Sequence, residues 1–506
     1  MLNSFFNRHR LHFLLGVMCL ATSLTVRALP PIPLEAQQYT RISRSAELSE
    51  YMHVLAANNP QVRLEVLGHS VQGRAIEALV FSSPKKTSSQ RLKIRPLKMM
   101  LIGSQHGASE PATGEAMIAI ARDLSIGALP NVLDSIDVMV IPNANPDGRD
   151  LGRRANANGV NINVDFVTMT QPETRALKGA LLAFQPDVIL DSHESAVLKR
   201  QSLGREGYMT DFNAQFESSN HPSTPSALRE LAYNKLLPEI TRRVSADKLP
   251  SHRYIGEIVS IKQAIANGGL TLKNFRNTAG MSGVLSFLVE TKLDNSDYSY
   301  PSYRNIKVRL ERQLICIRNF IHVMQENQVE IVTQLDAVRA SQHAEAITLK
   351  ARYVTDPTHP YEKIPMRRID TRAIEMLTFA DHRRVETAGL MPLPRTLVIT
   401  EYLPEMARFL DAQFIRYETV QNTKTVTATL NHYAWGKNML DGATLLASKT
   451  QQVQLKPGAL LVDLSQPQGR MAMLLLDPRS NSTVFMYPEY KTMFDKAKTF
   501  FVYLVM

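Results

Sequence analysis

Histidine and glutamate side chains follow several apolar runs of the sequence, at the points where predicted strands end. His106 and Glu110 follow one such run, His193 follows another, and Glu290 ends a third. Two imidazoles and one carboxylate form a ligand set that holds zinc and leaves a position open for water. The pattern therefore predicts one zinc ion per chain, bound by His106, Glu110 and His193.

A simpler interpretation exists for the first pair alone. His106 could cap the end of a sheet, and Glu110 could be a carboxylate favoured by the N-terminus of a following helix. The pattern H-x-x-x-E is common by chance, but a second histidine in the matching place after another strand favours the metal site.

The elements that would position these residues are short strands that alternate with helices. Apolar runs predict strands at 63–67, 76–81, 99–102, 136–141, 188–190 and 284–289. Helices are predicted at 111–124 and 172–184, each with proline in its first turn, and one long amphipathic helix or two at 304–340. The pattern predicts an α/β fold: a mixed, mostly parallel sheet covered by helices on both faces. Ligands of such sheets collect beyond the carboxyl ends of the strands.

The character of the sequence changes after about residue 341. Prolines are frequent between residues 357 and 394, and residues 425–431 alternate as a strand does. We therefore expect a catalytic domain at 29–340, followed at 341–506 by a smaller β-rich or mixed accessory domain whose role the sequence does not indicate.

The first residues are typical of a signal peptide. Arg8 and Arg10 precede an apolar run, and small residues near Ala28 fit a cleavage site, which predicts a signal peptide at 1–28 and export to the periplasm or the exterior. A membrane anchor is the alternative, but the run is shorter than the ~20 residues of a span. Cleavage would leave Cys316 as the remaining cysteine, so that no disulfide could form within the chain.

The net charge of the chain is +11, and removal of the signal peptide leaves it basic. A basic surface favours anionic partners such as a cell envelope, although a merely solvated surface explains the same composition. Blocks of five or more like charges are missing, and neither aromatic nor basic motifs support nucleic-acid binding. We expect no nucleic acid and no stable membrane span after cleavage.

Several stretches between residues 40 and 335 together resemble the zinc carboxypeptidase family of the carboxypeptidase A type. Residues 68–74 resemble the family's entry turn, residues 105–111 its first histidine motif, and residues 145–163 its substrate-carboxylate stretch. Residues 191–193 resemble the stretch with the second histidine, and residues 287–290 the strand that carries a glutamate. Their order and spacing are specific. The resemblance implies a peptidase in which water attacks a zinc-polarised carbonyl of a peptide substrate.

The resemblance also implies a role for individual residues. Glu290 would be the general base, Arg154 would bind substrate and stabilise the oxyanion of the tetrahedral intermediate, and Asn163 would contact the substrate. Asp191 would accept a hydrogen bond from a ligand imidazole, or would be a structural carboxylate at a strand end.

Two departures from the family pattern have consequences. The first motif of the family is usually H-x-x-E, so the extra residue before Glu110 requires a bulged loop. Val164 stands where the family has an arginine that holds the terminal carboxylate of the peptide, and an isopropyl group cannot replace a bidentate guanidinium. Arg175 or Arg276 could substitute, or each could have a structural role. Tyr254 and Phe275 precede Glu290 without a motif that marks either as a pocket residue.

Three hypotheses follow. The first is an exported zinc peptidase, a metallocarboxypeptidase, with cell-wall peptides as one candidate substrate. The second is a zinc amidohydrolase or deacylase acting on N-acyl amino acids or cell-wall peptides. The stretch at 145–148 and the length of the catalytic region favour the peptidase over it, whereas Val164 weakens the peptidase hypothesis. The third is a binding protein without catalysis, which the retention of Glu290 beside a complete ligand set argues against.

Overall fold

Eight strands form the central sheet, most of them apolar runs that are too short and too β-branched for helices. The computed structural model describes residues 29–82, 94–196, 202–293, 303–341, 346–436, 442–497 and 499–506. The predicted signal peptide lies outside the described residues. The chain from Pro31 to Met506 forms one compact unit.

The strands of the first 300 residues are β1 (Val62–His69), β2 (Ala75–Phe81), β3 (Leu97–Ile102), β4 (Ile136–Ile141), β5 (Val188–Ser195), β6 (Tyr208–Thr210), β7 (Ala214–Ser218), β8 (Ser251–Arg253) and β9 (Leu285–Lys292). The strand order in the central sheet is β1-β2-β4-β3-β5-β9-β7-β8. Its centre is parallel, because β3 pairs in parallel with β4 and β5, and β5 pairs in parallel with β9. All six predicted strands are confirmed, as is the mixed, mostly parallel sheet.

The helices are α1 (Pro33–Ala36), α2 (Ser45–Asn58), α3 (Pro111–Ser125), α4 (Val132–Ser135), α5 (Pro146–Asp150), α6 (Pro172–Phe184), α7 (Ser226–Leu231), α8 (Leu237–Ala246), α9 (Phe275–Met281), α10 (Ile306–Glu326), α11 (Gln328–Ser341), α12 (Leu403–Ala412), α13 (Gly469–Leu476) and α14 (Pro488–Lys496). Both α3 and α6 begin at a proline, as predicted. The segment at 304–340 forms two helices that meet at Asn327.

Both faces of the central sheet are covered. On one face, Met100 and Ile102 of β3 pack with Leu177 of α6 and Phe275 of α9. The alternate residues of the strand point to the other face, and Leu101 there is fully buried as well. Burial on both faces explains why the central strands read as continuous apolar runs rather than alternating ones.

The last third of the chain is rich in strands. It contains β10 (Ile347–Val354), β11 (Tyr361–Arg368), β12 (Ile374–Ala380), β13 (Arg384–Met391), β14 (Thr396–Ile399), β15 (Glu418–Thr419), β16 (Lys424–Trp435), β17 (Ala443–Leu455), β18 (Leu460–Asp463) and β19 (Val502–Val505). These form a six-stranded sheet of order β15-β18-β14-β19-β16-β17, the pair β10-β13, and a three-stranded sheet β12-β11-β6 that includes a strand of the first part. The β-rich character is confirmed, and the boundary of the accessory domain at residue 340 stays a prediction.

Among the described residues, no helix combines the length and the apolar character that a bilayer crossing requires.

A lysine is buried between α6 and the elements of the last third. Lys178 of α6 is fully buried, and its Nζ donates to Oε1 of Gln413 at 2.6 Å and lies 3.0 Å from the sulfur of Met471. Burial lowers the pKa of the Lys178 ammonium to about 7. The folded chain therefore releases this proton far below the pH at which the unfolded chain does.

We expect Lys178→Met to remove a pH dependence of stability. Between about pH 7 and pH 10 the unfolded wild-type chain binds one proton more at this site than the folded chain, so its free energy of unfolding rises with pH by about 1.4 kcal/mol per unit. Denaturant titrations at pH 7.5 to 9 should therefore show that the difference in free energy of unfolding between Lys178→Met and wild type falls by that amount per pH unit. The exposed Lys449→Met variant is the control, and parallel pH profiles of Lys178→Met and wild type would contradict the assignment.

Candidate active site

A short turn carries the chain from the end of β3 to the start of α3 and presents His106 and Glu110. A 3-10 turn at Gly107–Ser109 separates the two residues, and it takes up the extra residue of the motif. Gly107 has φ +52°, and a Cβ on it would lie 2.5 Å from the carbonyl carbon of Gly148. Only glycine fits this left-handed conformation at such a close approach.

The side chains of His106, Glu110 and His193 meet in the interior. Nδ1 of His106 lies 2.7 Å from Oε1 of Glu110, and Nδ1 of His193 lies 3.1 Å from Oε2 of the same carboxylate. The two Nδ1 atoms are 3.3 Å apart. All three side chains are buried, and each can offer one ligand atom such that these atoms lie within 4.8 Å of one another.

His193 reaches the cluster because β5 lies next to β3 in the sheet, with Ile102 opposite Asp191. Nε2 of His193 donates to Oδ2 of Asp191 at 2.9 Å, and Nε2 of Gln105 donates to the same oxygen at 2.6 Å. The bond to Asp191 fixes the ring orientation and directs Nδ1 at the cluster. Asp191 therefore stands where the sequence suggests an acceptor for a ligand imidazole.

Burial and the neighbouring charges set the protonation of this cluster. Burial opposes charge on Glu110, but His106, His193 and Arg154 outweigh it and hold the pKa of the carboxyl well below its usual range. Burial also opposes protonation of His193, yet Asp191 and Glu110 raise the pKa of this imidazole well above its usual value. Burial lowers the pKa of His106.

This donor set fits zinc. It consists of two imidazole nitrogens and one ionised carboxylate, all of which are preferred zinc ligands. The Nδ1 atoms of His106 and His193 both face the Glu110 carboxylate. A zinc ion bound by their lone pairs would release any proton on these nitrogens to solvent.

A buried ion pair joins β5, the strand that carries His193, to α10. The carboxylate of Glu194 is bound by the guanidinium of Arg309 in α10, at 2.7 and 2.9 Å, and accepts the backbone N–H of Ala112 at the start of α3. Gln313, one turn along α10, donates to the carbonyl of His193 at 2.8 Å. Thus α10 fixes β5, which carries His193, relative to α3, which begins directly after Glu110.

Glu290 lies beside His193, on the neighbouring strand. The register of β5 and β9 sets these two residues opposite each other. The hydroxyl of Ser195 donates to Oε2 of Glu290 at 2.6 Å. Burial, opposed by His193 and assisted by the charge of Glu110, raises the pKa of the Glu290 carboxyl to about 7.

Arg154 reaches the cluster from the loop after α5. Its guanidinium donates to Oε1 of Glu110 at 2.5 Å, and Nη2 lies 3.0 Å from Nε2 of His106. The side chain is 43% exposed because it faces a cavity. The cavity measures about 390 Å³, and its lining includes Glu110, Arg154, Glu194, Ser195, Thr210, Gln215, Tyr254, Gly256, Glu257, Ile258 and Glu290.

Other residues considered from the sequence lie elsewhere. Oδ1 of Asn163 accepts the backbone N–H of Phe275 at 3.1 Å, and neither Asn163 nor Val164 is among the residues that line the cavity. Arg175 donates to the backbone carbonyls of residues 169 and 170. Arg276 is buried in an ion pair with Glu217. A substrate role for Asn163 stays a prediction.

Sequence reasoning missed most of the supporting residues. Arg309 and Gln313 carried a usable signal, because they are polar residues four apart on the face of α10 that also buries Cys316 and Phe320. Thr210, Gln215 and Glu257 carried none, since they lie in short strands or irregular chain without periodicity.

The comparisons with known proteins agree with the resemblance. Residues 48–180 match the family model described as zinc carboxypeptidase. Carboxypeptidase 2 of Trichophyton rubrum is 22% identical over 458 residues, which cover 87% of this chain and 82% of that protein. Carboxypeptidase D of Homo sapiens is 29% identical over 148 residues, covering 26% of this chain and 10% of that protein.

Among solved structures, a metallo-carboxypeptidase from Burkholderia cenocepacia is similar, with a TM-score of 0.43 and 18% identity over 57% of this chain and 71% of that chain. The family match over residues 48–180 and the carboxypeptidase relatives indicate a zinc metallopeptidase.

We expect His193→Ala to lower zinc affinity by more than about 100-fold, because it removes a ligand, and Asp191→Asn to lower it about 10- to 100-fold through the ring orientation. Competition with a chromophoric chelator measures both. His53→Ala, at an exposed position of α2, is the matched control. Unchanged zinc affinity in His193→Ala would mean that the ligand lies elsewhere.

Proposed function

We propose that this chain, which carries a zinc carboxypeptidase domain, is an exported metallocarboxypeptidase that hydrolyses peptide bonds near a free C-terminus. One observation carries the proposal. His106, Glu110 and His193 converge beside Arg154 and Glu290, and Glu110, Arg154 and Glu290 line one cavity. A ligand set, a base and a cation at one surface are the parts that amide hydrolysis needs.

His106, Glu110 and His193 are the residues that would hold the zinc ion. When bound there, zinc supplies Lewis-acid polarisation of the substrate carbonyl and makes water a better nucleophile. The buried pair Glu194–Arg309 would hold this ligand set rigid, because neither group can reach solvent without losing its partner.

Glu290 would act as the general base. Glu290 lines the cavity, and burial brings its pKa to about 7, close to the pH at which proton transfer in both directions is efficient. The Ser195 hydroxyl would keep one carboxylate oxygen oriented, so that the other oxygen takes the proton of the attacking water. The same proton would then pass to the leaving amine.

Arg154 would stabilise negative charge on the substrate. A guanidinium donates several hydrogen bonds and stays charged at every working pH. Among the described residues that line the cavity it is the one permanent cation, so it can serve the oxyanion or a terminal carboxylate.

Recognition of a free C-terminus needs donors other than the residue at 164. Val164 is 47% exposed and Arg276 is paired with Glu217. The cavity offers Arg154 together with the uncharged donors Thr210, Gln215 and Tyr254. Val164 in place of a carboxylate-binding arginine leaves a second candidate, an amidohydrolase or deacylase acting on N-acyl amino acids or cell-wall peptides.

Export is part of the proposal. It rests on the basic and apolar residues at 1–28, and it would bring the enzyme into contact with peptides of the cell envelope.

We expect Glu290→Gln to bind zinc as wild type does and to lose more than about 1,000-fold in kcat, because an amide cannot take the proton. Zinc content and hydrolysis of a peptide pool are measured on the same preparation. Glu386→Gln, at an exposed position of β13, is the matched control. Turnover near the wild-type rate in Glu290→Gln would remove Glu290 from the role of base.

A further inference from the structure

One wall of the cavity consists of irregular chain. Tyr254, Gly256, Glu257 and Ile258 all line the cavity, and residues 254–260 form neither helix nor strand. We refer to residues 254–258 as the active-site wall. The backbone amide of Tyr254 donates to the carbonyl of Phe216, and the backbone amide of Ile255 donates to the Gln215 side chain at 3.3 Å. These two bonds attach the start of the wall to β7 of the central sheet.

Part of the hydrophobic support of the wall comes from the last third of the chain. Ile255 and Ile258 are buried in a hydrophobic cluster with Ile364 and Met366 of β11 and Phe379 of β12. Strands β11 and β12 pair over seven residues and form a hairpin, which we call the C-terminal hairpin. Its buried apolar residues share this cluster with Ile255 and Ile258 of the wall.

Backbone pairing fixes the hairpin on both sides of the wall. Met366 of β11 pairs with Thr210, which itself lines the cavity. On the other side, the amide of Ile265 donates to the carbonyl of Ala380 and the amide of His382 donates to the carbonyl of Ile265, both at 2.9 Å.

An ion pair and a histidine–glutamate contact join the same elements at their edges. Arg367 binds Asp211, just after β6, at 2.6 Å, and Glu362 lies 3.2 Å from Nε2 of His252, two residues before the wall. Hydrophobic, backbone and charged contacts thus all connect the hairpin to the segments that flank the cavity.

We propose that the C-terminal hairpin is a positioning element of the substrate-binding site, and that Phe379, Ile364 and Met366 are positioning residues for the active-site wall. The candidate ligands and Glu290 belong to other segments, because His106 and Glu110 follow β3, His193 lies in β5 and Glu290 lies in β9. Loosening the hairpin displaces the wall and weakens substrate binding, while the chemical step is retained. The kinetic test of this proposal rests on the proposed peptidase function, whereas the hydrogen-exchange test does not.

The test compares two buried phenylalanines of the last third in the full chain. Phe379→Leu loosens the hydrophobic cluster under the wall, and Phe409→Leu, equally buried in α12, loosens a different core of the same region. With zinc-loaded protein, we expect Phe379→Leu to raise KM for peptides about five-fold or more and to keep kcat within about two-fold. Phe409→Leu should lower Tm without a change in KM.

Hydrogen exchange supplies a readout that does not need turnover. Amides of residues 254–265 should exchange faster in Phe379→Leu than in wild type or Phe409→Leu, because the wall loses its backing. Arg367→Met, which breaks a partly exposed ion pair and leaves the core intact, is the second variant if Phe379→Leu does not fold.

Equal KM in Phe379→Leu and wild type, or equal exchange of residues 254–265 in the two, would overturn the proposal. A wild-type chain that cleaves no peptide would instead refute the proposed function, and the exchange comparison would still decide whether the hairpin positions the wall.

Discussion

The buried carboxylate of Glu110 is the group on which the geometry of the site depends. Removing an ionised carboxylate from water costs several kcal/mol of free energy unless protein groups replace its hydration. Here two imidazoles, the Arg154 guanidinium and the backbone amide of Glu194 replace it. Because these partners come from three separate segments, the charge of Glu110 holds the end of β3, the end of β5 and the loop after α5 together.

A second set of compensating charges, the ion pair of Glu194 and Arg309, lies next to the groups around Glu110. Glu194 and Arg309 are both fully buried, and their bidentate pairing joins β5 to α10. Removal of either partner would leave an uncompensated charge in the interior, so the pair constrains where α10 can lie. The site is thus assembled from charges that compensate each other, and the apolar core of the sheet supplies the rigid strands that carry them.

The sequence was informative where periodicity was strong. Apolar runs predicted β3, β5 and β9, and proline predicted the starts of α3 and α6. The positions of His106 after β3, and of His193 and Glu290 near the carboxyl ends of β5 and β9, therefore followed from the pattern. The active-site wall could not be predicted, because irregular chain has no period. Its support by β12 depends on contacts between residues more than 100 positions apart, such as Ile258 with Phe379. The predicted role of Asn163 rests on the resemblance, and its contact with Phe275 does not test it.

The most direct test of the account is to incubate the zinc-loaded chain with pairs of peptides that differ only in a free or an amidated C-terminus, and to read the products by mass spectrometry. The account predicts stepwise loss of C-terminal residues from the free peptides, no loss from the amidated ones, and no loss from either after chelation of zinc. Equal cleavage of both members of a pair, or release of acyl groups from N-acyl amino acids while every peptide stays intact, would contradict it.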